Sequence, residues 1–342
     1  MAQLRRDPIT GRWIIFNTES PKGPNDFEVE PHEHKGQATC PFCYGNEQMT
    51  PPEIEALREK GTALNSPGWF TRVVPNKYPA LRIEGHLDPT GIGIYDRTNG
   101  IGAHEVIIET PHHDKELSDL SPEEVLNVLR TYRSRCLDLR KDKRFKYLLI
   151  FKNYGKSAGA TLEHPHTQLI ALPFVPLRVQ RELHGCQRYF EYRERCGYCD
   201  VIQQEKDEKE RIVSETESFL SFSPFVSRFP FECWILPKQH ASNFVEISDR
   251  LLFELAKILQ DVLKRIKRTV KDPSYNMIVH TSPVENLYET TYHWHIEIMP
   301  RLTQVMGFEW GTGFYINPTP PEKAAQYLRE SSILEPAAEK SK

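Results

Sequence analysis

The chain has 342 residues, room for two or three domains or for two halves that share one sheet. Hydrophobic residues make up 39% and charged residues 27%, ordinary for a chain that buries a core, and no apolar run approaches the roughly 18 residues of a membrane span. With 44 basic against 47 acidic side chains the net charge is −3, and MAQLRRDPITGRW lacks a secretory apolar segment, so a nonspecific hold on nucleic acid or membrane is excluded and a cytoplasmic protein is expected.

In chain order, the first signal is CPFC, which brings Cys40 and Cys43 into one tight turn. HEVIIETPHH (104–113) reads as a strand running into His113. Ser121-Pro122-Glu123-Glu124 is a capping box with proline at the first helical position, and Val125, Val128, Leu129, Tyr132 and Cys136 follow as a core-facing stripe. YLLIFKN (147–153) is a second strand. The segment to Pro173 then holds Lys156, Ala158-Gly159-Ala160, Thr161 and His164-Pro165-His166-Thr167-Gln168. Residues 176–195 read as a linker, within which Glu182 is the one candidate metal ligand.

CGYC supplies Cys196 and Cys199, FECWILPKQH (231–240) is a strand ending at His240, and Ser248 precedes a helix with Leu251, Leu255, Ile258, Leu259, Val262 and Ile266 on one face. YNMIVHT (275–281) and YHWHIE, with His293 and His295, complete the pattern; the tail EPAAEKSK (335–342) reads as disordered. Proline outnumbers glycine 26 to 18, which favours short, broken elements over helical bundles.

Side by side, these signals form a duplication. Cys40 to Cys196 and Cys43 to Cys199 are both 156 residues, His113 to His240 is 127, and His164 to His293 and His166 to His295 are both 129. The first copy thus carries about 29 extra residues between its CxxC and His113. The predicted architecture is α+β, two tandem repeats spanning 1–185 and 186–332, each a mainly antiparallel sheet with packed helices, followed by a tail over 333–342.

Seven cysteines are too few, and odd in number, for a disulfide framework; Cys136, Cys186 and Cys233 read as plain buried residues. Each CxxC opens a stretch rich in proline, glycine and polar residues, unlike the strand-to-helix start of a redox pair, and histidine is the usual complement at tetrahedral zinc. Cys40, Cys43 and His113 with one of His164 or His166 make one Cys2His2 set, and Cys196, Cys199 and His240 with one of His293 or His295 make another. Residues i and i+2 of a strand share a face, so both imidazoles of each His-x-His pair are expected to address one site, one on the metal and its neighbour free for chemistry. Pro165 between them suggests an edge strand or a bulge. His32, His34, His86, His104, His112 and His184 show no pattern.

The segment 151–173 carries the chemistry. Small residues at Ala158, Gly159 and Ala160 let backbone N–H groups meet phosphate oxygens, with Lys156 and Thr161 beside them. A neutral histidine next to such a cradle attacks phosphorus, and Gln168, on the face of His166, donates to the oxygen that gains charge. A zinc-knuckle module for nucleic acid would instead need basic, aromatic-rich stripes, which the chain lacks, and would leave Gln168 without a use.

With DPITGRW (7–13), CPFC (40–43), RVVPNKYPAL (72–81), FKNYG (151–155), HPHTQ (164–168), PFECWILPKQH (230–240) and HWHIE (293–297), the sequence resembles the galactose-1-phosphate uridylyltransferase family of the histidine-triad superfamily over nearly its whole length. The resemblance implies that His166 is the nucleophile and His164 a zinc ligand, that Gln168 and Thr161 contact the transferred phosphoryl group, and that Asn76 and Asn153 lie near the nucleotide. It implies a ping-pong reaction between a nucleotide sugar and a sugar 1-phosphate, and a homodimer. Some members hold iron at the second site through residues matching Glu182, His280, His293 and His295, and others hold zinc on a second CxxC. Both sets occur here, and the internal repeat selects Cys196, Cys199, His240 and His293, giving about two zincs per chain.

Two departures bear on the substrate. Where better-known members carry a pair of arginines after DPxTGxW, this chain reads NTESPKGPND, with Lys22 alone; and GFEWGTGFYINP (307–318) has no glutamine, resembling instead a plant branch that acts as an ADP-glucose phosphorylase with phosphate as acceptor. The expected reaction is UDP-glucose with galactose 1-phosphate giving glucose 1-phosphate and UDP-galactose, and the alternative is phosphorolysis of ADP-glucose.

Overall fold

The computed structural model describes residues 1–32, 36–285 and 287–331, so the expected disordered tail and His34 lie outside the described residues. The strands and helices in chain order are β1 (Gln3–Arg6), β2 (Trp13–Phe16), β3 (Glu55–Arg58), β4 (Trp69–Pro75), β5 (Thr90–Ile92), β6 (Tyr95–Arg97), β7 (Ala103–Ile108), α1 (Pro122–Leu139), β8 (Tyr147–Tyr154) and β9 (His166–Leu172). They continue with α2 (Leu177–Arg193), α3 (Gly197–Glu208), β10 (Ile212–Glu215), β11 (Phe219–Phe222), β12 (Cys233–Pro237), α4 (Asp249–Thr269), β13 (Tyr275–His280), β14 (His295–Pro300), α5 (Gly307–Thr312), β15 (Tyr315–Asn317) and α6 (Pro321–Glu330). No helix among the described residues is long and apolar enough to cross a membrane.

Ten strands form one sheet in the order β10-β11-β12-β14-β13-β8-β9-β7-β4-β3, every neighbouring pair antiparallel. The order is a palindrome: β8-β9-β7-β4-β3 of the first half is repeated outward as β13-β14-β12-β11-β10 of the second. The duplication read from cysteine and histidine spacing is therefore built as two five-stranded antiparallel sheets joined edge to edge. At the seam β8 pairs with β13, with Asn153 opposite Asn276 and Phe151 opposite Ile278.

Helices α1 and α4 cover one face, and α2 and α3 pack on part of the other through Tyr147, Leu149, Leu220, Phe222 and Leu236. In α1 the Ser121 hydroxyl accepts from the Glu124 N–H at 3.3 Å and the Glu124 carboxylate accepts from the Ser121 N–H at 2.7 Å, the predicted capping box. Its stripe of Val125, Val128, Leu129, Tyr132 and Cys136 is buried, as are Leu255, Ile258, Leu259, Val262 and Ile266 of α4. Both pack on Leu148, Ile150, Leu169, Met277, Val279 and Ile296, the inward set of alternating strand residues, in one continuous core. The opposite alternation, with His166, Gln168 and Ile170 on β9 and Phe151 and Asn153 on β8, lines the other face of the sheet.

Three local expectations change. Most of 176–195 is helix α2 (Leu177–Arg193) rather than a linker, because Val179, Glu182, Leu183 and Cys186 form a buried face at helical spacing. CGYC starts a helix, with Cys196 as N-cap of α3, whereas CPFC sits in turns. β9 is central and not an edge; Pro165 is tolerated because the ladder begins only at His166, while the Pro165 carbonyl still accepts the Glu109 N–H at 3.1 Å.

Candidate active site and metal centres

The first cysteine pair is closed by backbone bonds: the Cys43 N–H donates to the Cys40 carbonyl at 3.3 Å, and the Asn46 amide donates to the same carbonyl at 2.8 Å. His113 follows β7 and His164 precedes β9, two adjacent strands of the sheet. All four side chains are buried, and their donor atoms lie within 4.8 Å of one another. Cys43 Sγ is 3.3 Å from His113 Nδ1 and 3.5 Å from His164 Nδ1. A tetrahedron with Zn–S of about 2.3 Å and Zn–N of about 2.0 Å has S···N edges near 3.6 Å, so this donor set fits zinc. His164 Nε2 lies 2.8 Å from the Thr110 carbonyl. A carbonyl only accepts, which puts the proton on Nε2 and turns the Nδ1 lone pair to the cysteines.

The second centre repeats this arrangement. Cys199 Sγ is 3.5 Å from His240 Nδ1 and 3.6 Å from His293 Nδ1, while their Nε2 atoms lie 2.8 Å from the Glu289 carbonyl and 2.9 Å from the Pro237 carbonyl. Cys196, Cys199, His240 and His293 converge as one donor group; Glu182, His280 and His295 converge as a separate one, without His293. In the latter, His280 bridges Glu182 at 3.2 Å and Glu297 at 3.2 Å, and its ring stacks on His295 at 4.6 Å. The four residues matched to an iron site are thus divided between two places.

The His-x-His pairs divide in the same way, against the expectation that both rings address one site. His164 lies ahead of the ladder and turns to Cys43, whereas His166 opens β9 and follows its pleat. His166 Nδ1 lies 2.8 Å from the His164 carbonyl, so Nδ1 carries the proton and Nε2 keeps its lone pair. Burial lowers the His166 pKa, holding the ring neutral. The ring borders a cavity of about 570 Å³ that Gly155, Lys156, Ala160 and Thr161 also line. The duplicated partner His295 has the same carbonyl contact but is fully buried, shut in by Tyr198 at 4.9 Å and Trp234 at 5.3 Å.

The loop beside His166 is as tight as its small residues suggest. Gly155 has φ +77°, and a Cβ there would come within 2.1 Å of Ser274 Oγ. Gly159 has φ +89° and closes the turn after Lys156–Ala158. Lys156 and Thr161 are exposed at the cavity mouth. Asn153 accepts from the Asn276 amide at 2.8 Å across the seam, and it also borders a larger cavity of about 900 Å³ that Trp310 and Tyr315 help line. Asn76 and Gln168 are brought together through His104, 3.1 Å from the first and 2.8 Å from the second.

Sequence reasoning missed His104, whose place depends on the pairing of β7 with β9, and it missed a buried cluster behind His166. There Lys152 Nζ lies 2.8 Å from Glu109 and 3.0 Å from Glu116, with Tyr132 and Thr167 hydroxyls also donating to Glu109. A lysine alternating inward on β8 was the available signal. Of the other unpatterned histidines, His86, His112 and His184 are exposed.

Known proteins match nearly the whole chain. Residues 1–176 match the galactose-1-phosphate uridyl transferase N-terminal domain and 182–329 its C-terminal domain. An ADP-glucose phosphorylase of Arabidopsis thaliana is 38% identical over 97% of this chain and 93% of its own length. A galactose-1-phosphate uridylyltransferase of Thermotoga maritima is 30% identical over 97% of this chain and 99% of its own. The crystal structure of an Arabidopsis thaliana ADP-glucose phosphorylase with bound ADP-glucose superposes with a TM-score of 0.80 at 35% identity, covering 96% of this chain and 98% of that one. Domain matches over both halves, whole-length relatives and a shared fold make this chain a member of the galactose-1-phosphate uridylyltransferase family of nucleotidyltransferases.

Proposed function

We propose that the protein transfers a nucleotide monophosphate through a covalent bond to His166, with ADP-glucose as donor and inorganic phosphate as acceptor. The observation that carries the mechanism is the His166 ring, with Nδ1 tied to a carbonyl and Nε2 without a hydrogen-bond partner among the described residues, beside a cavity that Gly155, Lys156 and Thr161 line. In the first half-reaction Nε2 attacks the α-phosphorus of ADP-glucose, and the bond from phosphorus to the bridging oxygen breaks, releasing glucose 1-phosphate. In the second, a phosphate oxygen attacks the same phosphorus, the P–N bond breaks, and ADP leaves with the histidine neutral again. Thr161 and Lys156 hold the phosphates, Gln168 donates to the transferred phosphoryl group, and Asn76 and Asn153 flank the nucleotide; the N–H groups of Ala158, Gly159 and Ala160, expected to meet phosphate oxygens, instead donate to the Gly155 and Lys156 carbonyls at 2.9–3.2 Å.

Zinc on Cys40, Cys43, His113 and His164 would be a closed structural ion that fixes the strand start carrying His166; a second zinc on Cys196, Cys199, His240 and His293 would do the same for β14. ADP-glucose is placed ahead of UDP-glucose, reversing the order expected from motifs alone, because the phosphorylase relative is 38% identical against 30% for the uridylyltransferase. The segment 307–318, read as phosphorylase-like, also contributes Trp310 and Tyr315 to the larger cavity. Uridylyl transfer from UDP-glucose to galactose 1-phosphate is the second reading. We take the halves as repeats over 1–185 and 186–332, and the working unit as a homodimer.

The test is incubation with ADP-glucose or UDP-glucose labelled at the α-phosphate. Acid-labile label on the wild-type protein, absent from His166→Gly, is expected, with turnover fastest for ADP-glucose plus phosphate. Label retained in His166→Gly would end the mechanism; preference for UDP-glucose with galactose 1-phosphate would restore the second reading.

A further inference from the structure

His104, on β7, makes a set of contacts that no structural role in the sheet requires. It faces Ile170 in the β7–β9 ladder and reaches diagonally to Gln168, which shares its face. Its Nδ1 accepts the Ala80 N–H at 3.1 Å, and its Nε2 lies 2.8 Å from Gln168 Oε1. A backbone N–H can only donate, so Nδ1 holds a lone pair and the neutral ring carries its proton on Nε2. That proton can go only to an acceptor, which makes the carbonyl end of the Gln168 amide the end facing His104. The Asn76 Nδ2 group, 3.1 Å from the same nitrogen, is itself fixed by the Tyr78 N–H bonded to Asn76 Oδ1 at 2.9 Å. An Nε2–H leaves it no lone pair to bond.

We propose that His104 is a positioning residue that sets the amide orientation of Gln168, so that its NH2 group and not its oxygen meets the phosphoryl oxygen that gains charge. This rests on the nucleotidyl-transfer reading above. A free glutamine amide has two orientations of similar energy, and the wrong one points a carbonyl dipole at an anion. Serine or threonine at position 104 would not choose between them, because a hydroxyl rotates to donate or accept. A histidine with Nδ1 already occupied offers only a donor. The backbone of Ala80, in the loop after β4, is thereby connected through one ring to the reacting strand.

The test is a double-mutant cycle on the single-turnover rate of His166 labelling. Removing a preorganised donor to a developing oxyanion costs about 100-fold, so Gln168→Ala is expected to lose that much. His104→Ala should lose about tenfold in rate at saturating donor with KM within about twofold, and should add nothing in the Gln168→Ala background. His104→Gln, whose own amide can turn either its nitrogen or its oxygen to Gln168, should recover only part of the loss, and the Gln168→Ala background carries the comparison if His104→Ala melts at lower temperature. The same factor lost from His104→Ala in both backgrounds would overturn the assignment, as would a loss that appears in KM with the saturated rate unchanged. Wild-type protein that takes no label at all would overturn the nucleotidyl-transfer reading itself, an outcome distinct from either.

Discussion

Behind His166 one ammonium faces two buried carboxylates, and that imbalance has a measurable consequence. Lys152 is 1% exposed, 2.8 Å from Glu109 and 3.0 Å from Glu116. Glu109 also receives the Tyr132 and Thr167 hydroxyls, while Glu116 has no such hydroxyl donor among the described residues. Burial therefore pushes the Glu116 carboxyl from 4.5 up to about 7, against the pull of Lys152 and with Glu109 adding to the rise. A carboxyl whose folded pKa lies above its unfolded one costs nothing in acid, where both states hold the proton. Stability then falls as pH rises from about 4.5 to about 7 and is level beyond. At about 1.4 kcal/mol per pH unit the total is about 3 kcal/mol, of which about 2 kcal/mol falls between pH 5.5 and 8.

Glu116→Gln keeps the Lys152–Glu109 pair and removes the titration. The variant should therefore gain on the wild type by about 2 kcal/mol over that range and be the more stable protein at pH 8. Guanidinium unfolding of both proteins at fixed zinc measures this, and the pH dependence of metal binding, common to both, cancels in the difference. Parallel curves, or a uniform loss in Glu116→Gln, would mean that Lys152 needs both carboxylates ionised, and the reasoning would fail.

Metal content by mass spectrometry should be about two zincs per chain; Cys199→Ser should lower it to about one and Glu182→Ala should leave it unchanged, whereas the reverse pattern would move the second metal to the Glu182 group. Gly185→Ala should destabilise by about 3 kcal/mol in thermal unfolding, although alanine is the better helix former by about 1 kcal/mol, because its Cβ would lie 2.0 Å from the Ile9 carbonyl oxygen; a neutral result would refute the packing of α2 on the N-terminal loop. Gly155→Ala should cost about 3 kcal/mol, because φ +77° with ψ 161° is a region essentially confined to glycine and the new Cβ would lie 2.1 Å from Ser274 Oγ, and it should slow His166 labelling; an unchanged labelling rate would show that the loop does not hold the phosphates.

Much of the fold was legible because its signals are local. The Ser121 capping box, the stripes of α1 and α4, and the strands at 147 and 275 depend on neighbours within a few residues. Each CxxC could be joined to His113 or His240 and to a His-x-His pair from spacing, since two copies of one pattern constrain each other, but spacing left open which histidine of the pair joins them. Long-range pairing was not. His104 acquires its place only when β7 lies beside β9, and Lys152 only when α1 closes over β8. The stripe of Val179, Leu183 and Cys186 has helical spacing, but its partners, among them Ile9, Tyr147 and Leu220, are distant in sequence. The two-residue spacing of His164 and His166 misled because Pro165 stops the pleat between them.

The antiparallel seam between β8 and β13 makes the halves inseparable in a practical sense. A chain cut after the first half would expose Ile150–Tyr154 of β8, an unpaired edge bearing Phe151 and Asn153, and the second half would expose Tyr275–Val279 of β13. Each fragment would find its own best partner in another copy of itself at that edge. Covalent fusion replaces that concentration-dependent meeting with a permanent one. It also frees the two copies to diverge, so that one shuts its histidine behind Tyr198 and Trp234 while lending Ser274 to the wall of the other's cavity and the Asn276 amide to Asn153.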